Sequence, residues 1–276
     1  MSAAVCVGDN CIDNYLPPVN RRYVGGNAVN VAVSLCQAGI PAAYVGVVGN
    51  DDEGELTLQA LRGQAVDVTR TRILPGQTAR TDIQLDHSGE RQFVHEYLGP
   101  QPALDLDEDA LQFICSHDLV HNTLTGGSEA YLPRFHDPGS RIVSMDYGER
   151  SRPEFIARTL AYVDWAFFSM DADSRAEAKK LARSASSKGP SLIVVTLGTG
   201  GSIAYDGREH HQPATEAAMV VDTLGAGDAY LGSFLAARLR GLGIAACMER
   251  ASKVAAQACG HFGAWEQSEQ QRAAES

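Results

Sequence analysis

Asp222-Thr223-Leu224-Gly225-Ala226-Gly227-Asp228 stands directly ahead of a stretch in which Leu231, Phe234, Leu235 and Leu239 recur at helical spacing. Small residues at 225–227 let the free backbone N–H groups of a first helical turn converge at its mouth. With the positive end of the helix dipole, they make a place for an anion. Asp228, at the helix entrance, can accept a proton from a hydroxyl. The same residues also read as a tight turn with a capping aspartate. A lone Gly-Ala-Gly does not choose between the two readings, so the rest of the chain has to.

Outward from this stretch, strand-like and helix-like segments alternate. Leu192–Thr196, Val163–Phe168, Ile142–Met145 and Asp118–His121 read as strands, with helices over Ser174–Ser187 and Glu154–Leu160 between them. Ala42–Val48 is a continuous apolar run, expected to be one strand buried on both faces, and Val5–Gly8 is a shorter one. Val29–Ala38, stopped by Gly39 and Pro41, and Leu56–Leu61 read as helices, as do Asp228–Leu239 and a last segment through Met248–His261. This order predicts parallel β-α-β units in layers, joined by right-handed crossovers. Two segments break the rhythm. Thr81–Leu85 and Gln92–Tyr97 flank Asp86-His87-Ser88-Gly89, a hairpin turn by composition, and their mixed polarity predicts a flap standing off the sheet. Ser202–Asp206 begins a second hairpin turning at Asp206-Gly207. Gln267–Ser276 is polar and without period, so a disordered tail is expected there, after one domain over residues 1–266.

Composition narrows the function classes. The 276 residues suit one α/β domain, and 44% hydrophobic with 21% charged residues is ordinary globular chemistry. A formal net charge of −11 repels phosphate backbones and argues against nucleic-acid binding. No apolar window is long enough to span a bilayer, so no membrane partner is expected. The first residues lack a basic n-region, and the six cysteines form no C-x-x-C pair, which leads us to expect reduced thiols and a cytoplasmic protein. Gly198-Thr199-Gly200-Gly201 is not G-x-G-x-x-G, and no G-x-x-x-x-G-K-[ST] occurs, so neither a dinucleotide fingerprint nor a P-loop is present. That disfavours an oxidoreductase. His210-His211 is expected to face solvent, Asp51-Asp52-Glu53 to be an acidic helix start, and Trp265 to be packing.

Taken in order, the motifs resemble those of the ribokinase-like (PfkB) carbohydrate kinases. Asp222-Thr223-x-Gly225-Ala226-Gly227-Asp228 matches that family's C-terminal signature. Gly25-Gly26-Asn27-Ala28-Val29-Asn30-Val31-Ala32, followed by Val48-Gly49-x-Asp51-x-x-Gly54, matches the N-terminal one. Gly8-Asp9-Asn10-Cys11-Ile12-Asp13 resembles the first strand with its sugar-contacting aspartate, and Thr196-Leu197-Gly198-x-x-Gly201 the nucleotide-binding turn. With the ending His261-Phe262-Gly263-Ala264-Trp265, the chain is similar, within that family, to fructoselysine 6-kinases.

The resemblance implies a three-layer α/β/α sandwich with a mostly parallel sheet and a small β lid from about residues 10–24 and 78–98. It implies ATP with Mg²⁺, and phosphorylation of the 6-hydroxyl of fructoselysine. Asp228 would be the base, with the N–H groups of Gly225, Ala226 and Gly227 around the transferring phosphoryl. Asp13, Gly26, Asn27 and Asn30 would contact the sugar, and Thr196, Gly198, Gly201 and Gly263 would lie on the ATP side. The family's monovalent cation site includes the residue matched by Asp222, whereas its metal-supporting Asn-x-x-Glu is replaced here by Ser169-Met170-Asp171-Ala172-Asp173. Arg80, Asp82, Gln84, Glu96 and Tyr97 of the flap are candidate contacts for the amino-acid part of the substrate, and exposed lid strands suggest a homodimer. The competing readings are a kinase of this fold for another sugar, another glycated amino acid or a nucleoside, and a non-catalytic sugar or nucleotide sensor.

Overall fold

The structure, a computed structural model, describes residues 3–85, 91–149 and 151–267. The chain opens with β1 (Ala4–Val7), crosses β2 (Cys11–Tyr15) and β3 (Arg21–Gly25), and enters helix α1 (Asn27–Gln37). Strands β4 (Ala42–Val45) and β5 (Val47–Gly49) follow, then α2 (Asp52–Gly63), β6 (Arg72–Leu74), β7 (Arg80–Leu85) and β8 (Arg91–Tyr97). Next come α3 (Glu108–Cys115), β9 (Leu119–Thr123), the short α4 (Leu132–Phe135), β10 (Ile142–Asp146) and α5 (Pro153–Thr159). The chain continues through β11 (Trp165–Ser169), α6 (Arg175–Ser186) and β12 (Leu192–Thr196). A hairpin of β13 (Ser202–Tyr205) and β14 (Glu209–Gln212) precedes α7 (Ala226–Leu239) and α8 (Ile244–Ala258).

The main sheet runs β14-β13-β12-β11-β10-β9-β1-β4, parallel except for the last hairpin. Its strands read as apolar runs because both faces are covered. Ala4, Cys6, Leu192 and Val194 pack with Val31 and Leu35 of α1, Phe234 and Leu235 of α7, and Met248 of α8. Their alternates turn the other way, as the two-residue period of a strand requires. Val5, Val7, Val120 and Val143 meet Leu111, Ile114, Leu132 and Phe135, while Ile193 and Val195 meet Ala178 and Ala182 of α6. Each fully buried Val, Leu, Ile, Phe or Met among them contributes about 1.5–3 kcal/mol, so the two faces together hold the strand ends in fixed register. The expected three layers are therefore present.

The flap is a four-stranded sheet, β3-β2-β7-β8, seated on Tyr15, Tyr23 and Ile83 with Phe262 packed beneath. The expected turn at Asp86-His87-Ser88-Gly89 lies outside the described residues. Other expectations need correction. Ala42–Val48 is not one strand: β4 pairs with β1, while β5 pairs with β6 in a separate two-stranded sheet. The break falls at Gly46, where a Cβ would lie 2.0 Å from the Tyr44 hydroxyl. Helix α2 begins at Asp52 rather than Leu56, because Asp51 caps it by accepting from the Gly54 N–H at 2.9 Å. The last helix starts at Ile244 and stops at Ala258, short of His261. Gln267 does not open a loose tail. It is buried and bonds to both the N–H and C=O of Val24, at 3.0 and 2.7 Å.

Candidate active site

Thr196, Ser169, Asp146 and Thr123 end β12, β11, β10 and β9 side by side along the carboxyl edge of the sheet. Gly8 and Asp9 follow β1 at the same edge. From β1 the sheet is built outward both ways, to β4 and to β9, so the crevice between β1 and β9 is a topological switch point. Open α/β sheets bind ligands there. Asp9 occupies it, accepting from the Thr123 hydroxyl at 2.6 Å and from the N–H groups of Asn27 at 2.9 Å and Ala28 at 3.4 Å. It thus caps α1 from outside the helix. Gly26 permits this approach: its φ is +109°, and a Cβ there would lie 2.4 Å from the Asn10 Cα.

One turn into α1, Asn30 Nδ2 donates to Asp228 Oδ2 at 2.7 Å. Asp228 is buried at the first turn of α7, and burial raises its pKa well above the usual carboxylate range. Asp146, Asp9 and Asp13 push it the same way, while the Asn30 bond opposes them. A buried carboxylate of raised basicity suits proton abstraction from a hydroxyl. The glycine turn beside it divides its work. Gly225 caps α7 in the left-handed region, φ +76°, where a Cβ would meet the Ala264 Cβ at 2.2 Å. A Cβ at Gly227 would meet nothing within 4 Å. No side chain therefore crowds the mouth of α7 at Gly227, while the Ala226 N–H donates to Thr223 O at 3.3 Å.

Asp13 lies over Gly25, where a Cβ would fall 2.1 Å from its Oδ2. Burial pushes its pKa up to about 7, against a 3.1 Å bond from the Cys11 thiol that acts in the other direction. Asp222 anchors the lid. The Tyr15 hydroxyl of β2 donates to it, and it accepts from the N–H groups of Leu224 at 3.0 Å and Gly263 at 3.4 Å. Arg91 of β8 pairs with it at 3.5 Å and donates to Thr223 Oγ1 at 2.7 Å. Gly263, φ +75°, lies where a Cβ would press on the Tyr23 ring at 3.1 Å.

Thr196 and Ser169 pair their hydroxyls at 2.9 Å. The turn that follows needs Gly198 at φ +51° and Gly201 at φ +87°, and a Cβ at 201 would strike Gln212 O at 2.2 Å. Asp171 and Asp173 are exposed beyond it. Of the expected sugar contacts, Asp13 and Asn30 are buried, Asn30 against Asp228, whereas Asn27 gives its N–H to Asp9 and is exposed. Three flap candidates are engaged within the lid: Arg80 with Asp82 at 3.1 Å, Asp82 with Asn14 at 2.6 Å, and Gln84 with Pro17 O at 2.9 Å. Sequence reasoning missed Asp9, Thr123, Asp146 and Arg91 as site residues. Polar side chains closing the apolar runs of β1, β9 and β10 were the available signal for the first three. His210 is half-buried against Asp206 at 2.9 Å, His211 is exposed, and Trp265 is core packing.

The profile of the pfkB family carbohydrate kinases matches residues 4–121 and 163–271. The fructoselysine 6-kinase of Shigella flexneri is 32% identical over 265 residues, covering 96% of this chain and 100% of that protein. Fructosamine kinase FrlD of Bacillus subtilis is 34% identical, covering 95% of this chain and 92% of that protein. Arabidopsis thaliana ribokinase, solved with ribose and ATP, superposes with a TM-score of 0.84 over 96% of this chain and 95% of its own, at 21% identity, and so shares the fold. With its motifs, layers and lid all of one kind, the chain belongs to the pfkB family of carbohydrate kinases, as a sugar kinase.

Proposed function

We propose that the enzyme transfers the γ-phosphoryl group of ATP to the 6-hydroxyl of fructoselysine, giving fructoselysine 6-phosphate and ADP. The activities of the Shigella and Bacillus relatives support the acceptor. The single structural observation behind the chemistry is the buried Asp228 carboxylate, held by Asn30 at the first turn of α7. Asp228 takes the proton of the 6-hydroxyl as that oxygen attacks the phosphorus, and the turn at Gly225, Ala226 and Gly227 stabilises the transferring oxygens. Asp13, Gly26, Asn27 and Asn30 orient the sugar. Thr196, Gly198, Gly201 and Gly263 shape the ATP side.

Mg²⁺ fits this donor set in one way only. Among the described residues no group of three or more His, Cys, Asp or Glu side chains gathers to hold a metal, so the ion would be held chiefly by phosphates and water. Asp146 at the end of β10 would be the carboxylate supporting it, and the ion would supply charge neutralisation on the phosphates. A monovalent cation does not fit the Asp222 carboxylate, which Tyr15, Leu224 and Gly263 already satisfy and Arg91 neutralises. Phe93, Val94 and Tyr97 are exposed on β8, at the edge of the lid sheet, and a second copy of the chain is the partner we assign to that edge. No helix among the described residues is long and apolar enough to cross a membrane, and six free cysteines suit a reducing cytoplasm.

The reading is tested with purified enzyme, ATP and a panel of acceptors. It predicts a kcat/KM for fructoselysine at least about 10²-fold above that for free fructose, with the phosphate on C6 by NMR. Equal efficiency on the two, or a preference for ribose or a nucleoside, contradicts the acceptor and leaves the kinase chemistry standing.

A further inference from the structure

A cavity of about 410 Å³ opens beside the switch point, within the size range of small-ligand sites. Leu98, Pro102, Leu124 and Phe155 give it apolar walls. It touches the site through two residues. Thr123 lines the cavity and donates to Asp9, and Gln101 lines it and donates to the Asn10 carbonyl. Glu129 is the charged side chain of its lining. Glu129 lines the cavity and accepts two bonds from Arg158, at 3.1 and 2.9 Å, while the Arg158 guanidinium lies 5.3 Å from the centre of the Phe155 ring.

Resting on the fructoselysine reading, we infer that this cavity takes the lysine arm of the substrate. The acceptor hydroxyl and the amine-bearing C1 lie at opposite ends of the fructosyl group. A sugar whose 6-hydroxyl meets Asp228 therefore directs its arm away from α7. The cavity lies on the Asp9–Asn10 side of the crevice, past the N-terminus of α1. Its chemistry matches the arm along its length. Apolar walls take the four methylenes, and the Glu129 carboxylate on the lining meets the α-ammonium, with its partner Arg158 beside it for the α-carboxylate. Of the five lid candidates, Arg80, Asp82 and Gln84 are engaged among themselves and their lid neighbours, and Glu96 and Tyr97 are exposed on β8.

The test compares fructoselysine with fructosyl-methylamine, which keeps the sugar and the amine but lacks the arm. The quantity read is the ratio of their kcat/KM values within each protein, so any partial loss of folded enzyme cancels. Ala130, on the cavity wall, is changed to fill the space (Ala130→Phe), and Glu129→Gln removes a charge while keeping the shape. We expect the ratio to fall at least about fivefold in Ala130→Phe and at least about threefold in Glu129→Gln. A smaller fall in either variant overturns the subsite. A wild-type enzyme that phosphorylates both compounds equally well also overturns it while leaving the 6-hydroxyl chemistry in place. One that phosphorylates neither overturns the fructoselysine reading itself.

Discussion

Asn30 Nδ2 donates to Asp228 Oδ2 at 2.7 Å, tying α1 to α7 across 198 positions of sequence. The bond favours the charged carboxylate, against a burial that favours the neutral one. Removing it raises the Asp228 pKa further. Asn30→Ala should therefore move the acid limb of the pH–kcat profile to higher pH. Turnover at neutral pH should fall about tenfold, as expected for a hydrogen bond to a charged group worth about 1.5–3 kcal/mol. A limb that stays in place would show that Asn30 serves the sugar alone.

The two glycines of the turn should fail differently. Gly225→Ala forces a side chain into the left-handed region and against Ala264, so it should cost at least about 1 kcal/mol of stability and lower the melting temperature. Gly227→Val puts its Cβ where no atom outside its own turn lies within 4 Å, and valine is no worse than glycine in a helix. It should melt within about 2 °C of wild type while kcat falls at least about tenfold, with the KM for ATP less affected. A raised KM for ATP at unchanged kcat would mean that the turn binds nucleotide without serving the transition state.

Asp13 should make stability and activity move in opposite directions with pH. Its pKa is about 7 when folded, above the ordinary aspartate value of 3.8. Between these values the unfolded chain releases a proton that the folded chain keeps, so the stability due to Asp13 is lost as pH rises toward and through 7. Asp146, raised by burial to about 6, acts in the same direction. Activity runs the other way, because a sugar hydroxyl needs the ionised carboxylate as acceptor. The melting temperature of the ligand-free enzyme should fall from pH 5 to about 8, less steeply in Asp13→Asn, while kcat/KM declines below about pH 7. An identical melting slope in the variant would contradict the assignment.

Much of the fold was legible because buried parallel strands are uninterrupted apolar runs. Leu192–Thr196 stands where its composition puts it. Ala42–Val48 misled for the same reason: apolar continuity reports burial, not which strand is the neighbour, and Gly46 moves the chain from one sheet to another. Helices α1, α2 and α7 begin earlier than their apolar spacing suggests, since their first turns are made of Asn27, of Asp52 and Glu53, and of Ala226 and Gly227. In the site, Asp228 and its glycine turn were readable from contiguous residues. Asp9, Thr123 and Asp146 were not, because only the strand order brings the ends of β1, β9 and β10 together. Arg91 reaches Asp222 only when the lid is folded over the turn.

The central claim is that Asp228 is the base of a phosphoryl transfer. Asp228→Asn keeps the shape and the neighbours and removes the proton acceptor. Measured with saturating ATP and fructoselysine, kcat should fall by about 10²–10⁴ with little change in melting temperature. A variant that retains near-full turnover would reduce Asp228 to a helix cap and contradict the account.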